Sequence, residues 1–514
     1  MDLQLITFTE RYNAENRRLS GMPQLLEHAD NVRRKVAPQT PQKHKAEFGQ
    51  FMTPSSVAGF MASLFPASSL KTCKLLDAGA GVGALSCAFL DRWAAGGFGF
   101  AKVDACAYEI DPVLRIHLAQ TLAAYSEHLD VRSQIMTEDF IEHAALLCKQ
   151  GQGGFTHAIL NPPYKKINSH SAHRLALRTV GIETVNLYSA FVALAVALAA
   201  PGGQIVAIIP RSFCNGPYYR PFRDFVLERA AIRHMHLFDS RSKAFKDDNV
   251  LQENIILLLE CGGQQGDVTV TTSTDDSFDD LVTHTHPFNR IVFPDDSERF
   301  IHVPTSQEHN AIELSAAIRY SLENIGVKVS TGPVVDFRLK EHLREMPEPG
   351  TVPLLYPTHF AGQNIEWPKP GNKKPNAIQR NNETEKWFYP NGFYCVVRRF
   401  SSKEEKRRIV ASVVQPDTFG DAEMLGLENH LNVYHENRHG LPEALARGLA
   451  IYLNTTGVDE NFRRSSGHTQ VNATDLKMMK YPSRNGLIAL GEWAMHCSEP
   501  TQNMIDEQLN YLIA

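Results

Sequence analysis

The chain lacks the cysteine and histidine patterns of metal-bound and disulfide-bonded proteins. Its 514 residues include only eight cysteines, and no two of them form a C-x-x-C pair. The 21 histidines include no H-E-x-x-H motif, the spacing that places two zinc ligands on one helix face. These absences argue against a zinc site and against a disulfide framework, so we predict no structural metal.

Long apolar runs are also missing. The longest strongly apolar stretch, residues 190–200, is about half of the roughly 20 residues that a membrane-spanning helix needs. The first residues are acidic and polar, where a signal peptide would have a basic start and an apolar block. We therefore expect a cytoplasmic protein that has no membrane contact.

The chain has no overall excess of positive charge, since its formal net charge is −5. A DNA-binding protein needs clustered Lys and Arg to contact phosphates. Residues 267–298 hold eight acidic residues against one basic residue, whereas residues 331–410 hold 14 basic residues against nine acidic ones. Because the charge is segregated along the chain, its overall sign does not exclude nucleic acid as a partner.

Between residues 70 and 265, short apolar runs alternate with helical stretches, which is typical of βαβ units in an α/β fold. We predict seven strands, at residues 73–77, 103–110, 131–136, 156–160, 204–209, 232–238 and 254–260. Seven such strands form a doubly wound, Rossmann-like sheet. Ligands of these sheets bind beyond the carboxyl ends of the strands, so the residues that follow each run are candidates for function.

The chain is too long for one ordinary core, so we expect at least two domains. Residues 1–40 are predicted to form an N-terminal helical arm, and residues 41–265 contain the Rossmann-like domain. The acidic, Ser/Thr-rich residues 266–305 interrupt the alternation and are predicted to be a connection. Residues 306–514 are less regular, with Pro/Gly-rich and aromatic stretches, which favours a separate C-terminal α+β domain.

A glycine loop follows the first predicted strand. Gly79, Gly81 and Gly83 lie between that strand and a predicted helix, where glycine permits a tight turn and a close approach of backbone to ligand. Gly79, Gly81 and Ala84 also satisfy the dinucleotide pattern G-x-G-x-x-A. The loop alone therefore does not choose between cofactors.

Acidic residues at three successive strand ends favour S-adenosylmethionine. Asp77 would repel a pyrophosphate but can pair with the ammonium group of a methionine moiety. Glu109 ends the second strand, where an acid can accept hydrogen bonds from both ribose hydroxyls. Asp139 follows the third strand and can accept a hydrogen bond from an adenine amine, and Phe140 beside it offers a stacking face.

The motif Asn161-Pro162-Pro163-Tyr164 follows the fourth predicted strand. An aromatic amine is a poor nucleophile, and acceptors that pull it toward tetrahedral geometry make attack easier. The Asn161 side-chain oxygen and the Pro162 carbonyl can be two such acceptors, and successive prolines hold that carbonyl fixed and free of local backbone partners. Tyr164 offers a face for stacking a planar base, which must be flipped out of a duplex to reach it.

In motif order the chain resembles the gamma-class adenine-N6 DNA methyltransferases of restriction–modification systems, the TaqI- and PaeR7I-like group. The segments D-A-G-A-G-V-G, Y-E-I-D, E-D-F and N-P-P-Y match the family's motifs in sequence. Residues 47–54 are similar to the motif that precedes the glycine loop, which implies that Thr53 closes over the methionine end of the cofactor. The resemblance also implies that Phe245 stacks on the flipped adenine.

The resemblance covers residues 45–265 closely and the remainder loosely. It implies that residues 306–514 are a target-recognition domain for double-stranded DNA, with Arg398, Arg399, Arg463 and Arg464 as candidates for base or phosphate contacts. Any cognate restriction endonuclease should be a separate polypeptide, because we find no nuclease motif. We expect a monomer, since methylation of one strand needs one active centre.

Two other functions remain open from the residues. N-P-P-Y also serves enzymes that methylate RNA or glutamine amides of proteins, because these substrates also present a planar, delocalised amine. Those enzymes commonly carry a small N-terminal module, whereas here a long segment with basic and aromatic patches follows the motif. A DNA-binding specificity protein without turnover is the alternative from another class, and the intact Asp77, Glu109, Asn161 and Tyr164 argue against it.

Overall fold

The computed structural model describes residues 25–39, 52–238, 253–294, 296–306, 315, 317–401, 405–466, 469–497 and 499–513. The chain divides into two compact units, Met1–Gln307 and Glu308–Ala514. Within the described ranges, no helix is long and apolar enough to cross a membrane.

The first unit is built on one nine-stranded sheet. The seven strands predicted from the apolar runs are all present, and two more extend the sheet. The strands are β1 (Thr72–Ala78), β2 (Lys102–Tyr108), β3 (Val131–Met136), β4 (Phe155–Leu160), β5 (Ala199–Pro210), β6 (Ala230–Phe238), β7 (Asn254–Cys261), β8 (Val268–Ser273) and β9 (Val282–His286). Their order is β3-β2-β1-β4-β5-β7-β6-β8-β9.

Helices cover both faces of this sheet. They are α1 (Leu25–Gln39), α2 (Ser55–Ser63), α3 (Ala84–Ala94), α4 (Pro112–Ser126), α5 (Phe140–Lys149), α6 (Ala172–Arg178), α7 (Leu187–Leu198), α8 (Arg220–Arg229) and α9 (Phe288–Ile291). Alternate residues of β1 enter different core clusters: Leu76 packs with residues of α5 and α7, and Leu75 packs with residues of α2 and α3. Burial on both faces explains why the strands are nearly continuous apolar runs.

The strand order places a topological switch point beside β1. This strand pairs in parallel with β2 on one side and with β4 on the other. The chain builds β2 and β3 outward from β1 and then crosses back to β4. The carboxyl ends of β1 and β4 therefore border the crevice in which open α/β sheets bind ligands.

The prediction that residues 266–305 are a connection is wrong. β8 pairs in parallel with β6, and β9 pairs with β8 in antiparallel orientation, so the sheet has nine strands rather than seven. Val268 and Val270 are fully buried, and the acidic residues that masked the strand pattern cluster in the turn that joins β8 to β9. Phe278 in this turn stacks on Phe60 at a centroid distance of 4.2 Å.

The predicted N-terminal arm is not a separate element in its described part. Leu25, Leu26 and Ala29 of α1 are buried in the same core cluster as residues of α3. The Leu26 backbone N–H also donates to Asp91 Oδ2 of α3 at 3.2 Å. Helix α1 therefore belongs to the first unit.

The second unit has the predicted α+β character, because short strands precede a group of helices. Its strands are β10 (Lys328–Thr331), β11 (Leu343–Arg344), β12 (Thr351–Leu355), β13 (Phe360–Ala361), β14 (Asn364–Ile365), β15 (Ala377–Gln379), β16 (Tyr389–Pro390), β17 (Tyr394–Arg398), β18 (Ala411–Val414), β19 (Met424–Leu427) and β20 (Leu431–His435). Its helices are α10 (Glu443–Leu453), α11 (Thr456–Ser465), α12 (Ala473–Met478), α13 (Arg484–Met495) and α14 (Gln502–Ile513). The strands form sheets of order β10-β20-β17-β18 and β11-β15-β12-β19-β16, and a small β13-β14 pair.

Candidate functional site

A cavity of about 480 Å³ lies at the carboxyl ends of the strands in the first unit. Its volume is in the range of pockets that bind small molecules and cofactors. The site residues predicted from the sequence that line it are Thr53, Gly79, Gly81, Glu109, Asp139, Phe140, Asn161 and Pro163. The fold therefore brings residues from separate parts of the chain to one cavity.

The backbone N–H groups of the glycine loop bind to the neighbouring strand. Gly79 N and Ala80 N both donate to the Tyr108 carbonyl, at 3.0 and 2.9 Å, and Gly81 N donates to Glu109 Oε2 at 2.8 Å. The φ angles of Gly79 and Gly81 are 81° and 57°, a region that other residues rarely adopt. Because these N–H groups already have acceptors, they do not form the open anion site that a dinucleotide pyrophosphate needs.

Glu109 joins the glycine loop to the end of β2. Its Oε1 accepts a hydrogen bond from the Asp111 backbone N–H at 2.7 Å, and its Oε2 accepts the one from Gly81. The side chain is buried, and burial raises the pKa of the carboxyl group above its usual value. Each oxygen has a further lone pair, which suits hydrogen bonds from ribose hydroxyls.

Asp77 is the most deeply buried acid at this edge, with 1% of its surface exposed. Its Oδ2 accepts a hydrogen bond from Ser86 Oγ at 2.6 Å, whereas its Oδ1 has no partner among the described residues. Burial raises its pKa to about 7, although the Ser86 hydrogen bonds act in the opposite direction. Asp77 is not among the residues that line the cavity, and its free oxygen fits a cationic group better than a neutral one.

Asp139 caps helix α5 and faces the cavity. Its Oδ1 accepts a hydrogen bond from the Glu142 backbone N–H at 3.1 Å, and its Oδ2 accepts one from His173 Nε2 at 3.1 Å. Burial acts to raise the pKa of Asp139, but these hydrogen bonds lower it overall. The next residue, Phe140, is 2% exposed and packs against Tyr108 at a ring-centroid distance of 4.9 Å.

Asn161 is held by a residue 108 positions earlier in the chain. Its Nδ2 donates to Thr53 Oγ1 at 2.9 Å, and both side chains are buried. With Nδ2 bonded to Thr53, the acceptor Oδ1 is the end of the amide directed toward the Tyr164 hydroxyl group. Tyr164 approaches Oδ1 through its hydroxyl group at 3.3 Å. Thr53 therefore contacts the catalytic loop, a contact that sequence reasoning did not anticipate.

The Pro162 carbonyl lies between Asn161 and the second proline of the pair. In the described part of the chain no hydrogen bond reaches the Pro162 carbonyl. The glycine loop passes close to this segment, since a Cβ added to Gly79 would lie 3.8 Å from the Asn161 carbonyl oxygen. The glycine loop and the N-P-P-Y loop are therefore adjacent in the structure.

The structure describes one of the two aromatic residues that are predicted to stack on the target base. Tyr164 is half-buried and makes an edge contact with Tyr188, at a centroid distance of 6.1 Å. Its hydroxyl also lies 3.4 Å from the Ile208 carbonyl. Phe245 lies outside the described residues.

Several residues that line the cavity were not singled out from the sequence. Ile110 follows Glu109 and is 43% exposed, and an apolar residue directly after a strand-end acid is a usable signal for a stacking face. Lys165 and Lys166 follow the N-P-P-Y motif and are exposed at the cavity. His173 also lines it, although nothing in its local sequence marks it.

The four arginines predicted to contact DNA lie in the second unit, and all four interact with other residues of the protein. Arg398 pairs with Glu405, and Arg399 donates to the Asn429 carbonyl and to Gln470 Oε1, both at 3.2 Å. Arg463 donates to Asp459 Oδ2 at 2.7 Å. Like these three, Arg464 is half-buried.

One group of potential metal ligands lies in the second unit, at Glu341, His342 and Glu383. The Nδ2 of Asn381 approaches His342 Nδ1 at 3.2 Å. Asn381 Oδ1 accepts from the Glu383 and Thr384 backbone N–H groups at 2.9 and 3.1 Å, which fixes the amide orientation. His342 Nδ1 is therefore an acceptor, and Nε2 carries the proton toward Glu383, an arrangement unfavourable to a metal at Nε2.

Comparison with known proteins gives consistent matches. A family model described as Eco57I restriction-modification methylase matches residues 108–245. The type II methyltransferase M.BsuBI of Bacillus subtilis is 55% identical over 501 residues, which cover 96% of this chain and 99% of that protein. M.PstI of Providencia stuartii is 40% identical over 490 residues, with 94% and 96% covered. M.AccI of Acinetobacter calcoaceticus is 23% identical over 248 residues, with 46% and 42% covered.

Proposed function

Because the chain belongs to the type II DNA methyltransferases of restriction–modification systems, we propose that it methylates the N6 amine of adenine in duplex DNA. Its cofactor is S-adenosylmethionine, which supplies an electrophilic methyl group on a sulfonium. The observation that supports an exocyclic amine as the methyl acceptor is the Asn161 amide, whose Nδ2 donates to Thr53 Oγ1 and whose Oδ1 is the acceptor end. The choice of adenine rests on the resemblance of the motif order to the adenine-N6 class.

The catalytic loop acts by positioning the amine. Asn161 Oδ1 and the Pro162 carbonyl accept the two N–H groups of the target amine, which draws it toward tetrahedral geometry. The nitrogen lone pair is then directed at the methyl group, and catalysis comes from orientation rather than from a covalent enzyme intermediate. Tyr164 and Phe245 stack on the flipped base, with Pro163 as the adjoining wall.

Each of the proposed cofactor residues binds or borders a different part of S-adenosylmethionine. Asp77 pairs with the ammonium group and Thr53 closes the methionine end, while Gly79 and Gly81 allow close approach of the backbone. Glu109 accepts the ribose hydroxyls. Asp139 accepts the adenine amine, and Phe140 forms part of the wall at the adenine ring. The unpartnered Asp77 Oδ1 supports the first of these roles.

The second unit recognises the DNA sequence in this proposal. Arg398, Arg399, Arg463 and Arg464 contact bases or phosphates after exchanging or sharing their protein acceptors. The protein acts as a monomer, and a separate restriction endonuclease cuts the same site when it is unmethylated.

The test is incubation of the purified protein with methyl-labelled S-adenosylmethionine and unmethylated duplex DNA, followed by nucleoside analysis. We expect the label in N6-methyladenine. Label in N4-methylcytosine would overturn the choice of base, since cytosine presents a similar exocyclic amine. Parallel reactions with total RNA and denatured protein test the other planar-amine substrates, and label found only there would overturn the DNA assignment.

A further inference from the structure

His173 reaches across the cavity from the segment that follows the catalytic loop. It is the second residue of α6, it lines the cavity, and its Nε2 lies 3.1 Å from Asp139 Oδ2. A carboxylate can only accept, so the imidazole is the donor. The other oxygen of Asp139 accepts from the Glu142 backbone N–H, and together the two bonds fix the plane of the carboxylate.

The charges around this pair favour the interaction. Asp139 and Glu142 raise the pKa of His173 above its usual value, and this effect exceeds the opposing effects of burial and Lys165. The pKa of Asp139 is lowered. Both shifts favour a charge-assisted hydrogen bond, which is stronger than one between neutral groups.

Helix α6 does not depend on His173 for its position. Arg174 is buried and bonds to Glu183 and to the Thr184 carbonyl. Leu177 is fully buried in the core of the first unit, and Ser171 caps the helix through the Arg174 backbone N–H at 3.3 Å. The His173 contact is therefore separable from the folding of its own element.

We propose that His173 is a positioning residue of the cofactor site, which holds Asp139 so that the second lone pair of Oδ2 accepts the adenine amine of S-adenosylmethionine. The proposal rests on the role given to Asp139 in the proposed function. Without the imidazole, no side chain constrains Oδ2 among the described residues, and backbone N–H groups of Glu142 and Ile141 alone act on the carboxylate, which can then turn about its Cβ–Cγ bond. The adenine amine would lose an oriented acceptor, while the rest of the cofactor would keep its contacts.

The experiment compares two ligands by calorimetry in the absence of DNA. S-adenosylhomocysteine carries the adenine amine, and S-inosylhomocysteine carries a carbonyl oxygen in its place. We expect His173→Ala to weaken the first ligand about three- to tenfold, the value of one hydrogen bond, and to leave the second unchanged. An equal loss for both ligands, or no loss for either, would overturn the proposal.

Two further variants separate positioning from a local structural effect. His173→Gln keeps an N–H donor of similar reach, so it should restore most of the affinity for S-adenosylhomocysteine. His170→Ala, three residues earlier at an exposed position, should bind both ligands as the unaltered protein does. Failure of the Gln variant to rescue affinity would also contradict the role of His173.

Failure of the positioning role of His173 can be told apart from failure of the proposed methylation of adenine. Cofactor binding is measured without a methyl acceptor, so an error in the target base leaves this result intact. If the unaltered protein binds both ligands equally, Asp139 does not recognise the amine, and the positioning role falls while the methylation assay stands.

Discussion

One buried asparagine in each unit illustrates a different use of the same side chain. In the first unit, Asn161 is buried at the carboxyl edge of the sheet, where its amide bonds to the side chains of Thr53 and Tyr164. In the second unit, Asn454 pairs with both backbone groups of Ala411, at 3.0 and 2.8 Å. The same amide chemistry is proposed to serve the methyl acceptor in one unit, and it supports the fold in the other.

The two units also differ in strand length. Strands β1 and β5 of the first unit have seven and 12 residues, so their ladders satisfy most backbone groups. No strand recorded in the second unit exceeds five residues, and buried backbone groups beyond a short ladder need side-chain partners. Removing Asn161 should therefore reduce activity, and removing Asn454 should reduce stability.

The largest expected effect is the loss of turnover in Asn161→Ala. Removing an oriented hydrogen-bonding group that acts on the reacting amine should lower kcat by at least about 100-fold. The affinity for S-adenosylhomocysteine should change little, because the proposed partner of Asn161 is the target amine rather than the cofactor. Single-turnover methylation and calorimetry measure the two quantities, and a kcat within about threefold of normal would contradict the role.

The matching change in the second unit is Asn454→Ala. Two buried backbone groups of Ala411 would lose their partner, which should lower the free energy of unfolding by about 2 kcal/mol or more. Denaturant unfolding measures this, with Asn382→Ala as the control, because Asn382 is exposed and its loss should stay within about 0.5 kcal/mol. Cofactor affinity of the folded protein should not change, and a selective loss of affinity would break the comparison.

A smaller effect is expected from Thr53→Val, which removes the acceptor of Asn161 Nδ2. The amide can then turn and present the wrong end to the target, so we expect kcat to fall about tenfold, equivalent to roughly 1.4 kcal/mol. Thr53→Ser keeps the hydroxyl group and should retain most activity. Equal rates for the Val and Ser variants would show that the hydroxyl group does not orient the amide.

The smallest effect is a proton released from Asp77 when the cofactor binds. Its pKa of about 7 means that the carboxyl group is mostly protonated at pH 6, and pairing with an ammonium favours the ionised form. Calorimetry in buffers of different ionisation enthalpy should detect nearly one proton released at pH 6 and none in Asp77→Asn. Uptake of a proton, or the same release in the variant, would contradict the pairing.

The raised pKa of Asp77 also makes the stability of the folded protein depend on pH. The folded state binds more protons than the unfolded state between about pH 4 and pH 7, because the folded pKa is raised. The contribution of Asp77 to stability is therefore present at low pH and is lost as the pH rises through that window. Asp77→Asn should remove this part of the pH dependence.

Much of the first unit could be predicted because its local and tertiary patterns agree. Strands buried on both faces are continuous apolar runs, and the residues after them converge by the geometry of a parallel sheet. The contact between Thr53 and Asn161 could not be predicted by this route, since it joins residues 108 positions apart. The role of His173 was not predicted either, because its contact with Asp139 joins residues 34 positions apart.

Composition misled the prediction where it conflicted with periodicity. Residues 268–271 alternate valine with threonine, and both residues are β-branched, as is common in strands. The acidic residues that follow nevertheless suggested a connection. In the second unit, strands as short as two residues carry too few positions to show a period. Only its α+β class could be predicted.

The acidic turn between β8 and β9 has a consequence for the encounter with DNA. Strand pairing makes β8 parallel to β5 and β4, so this turn and the N-P-P-Y loop lie at the same edge of the sheet. Four strand spacings separate β4 from β8, which is about 19 Å. One part of this edge therefore carries acidic residues, and another part carries basic ones. The acidic residues are Asp275, Asp276, Asp279 and Asp280, and the basic ones are Lys165 and Lys166. We expect this distribution of charge to repel a polyanion at one end of the edge and to attract it at the other, which would favour the approach of a duplex to the N-P-P-Y end.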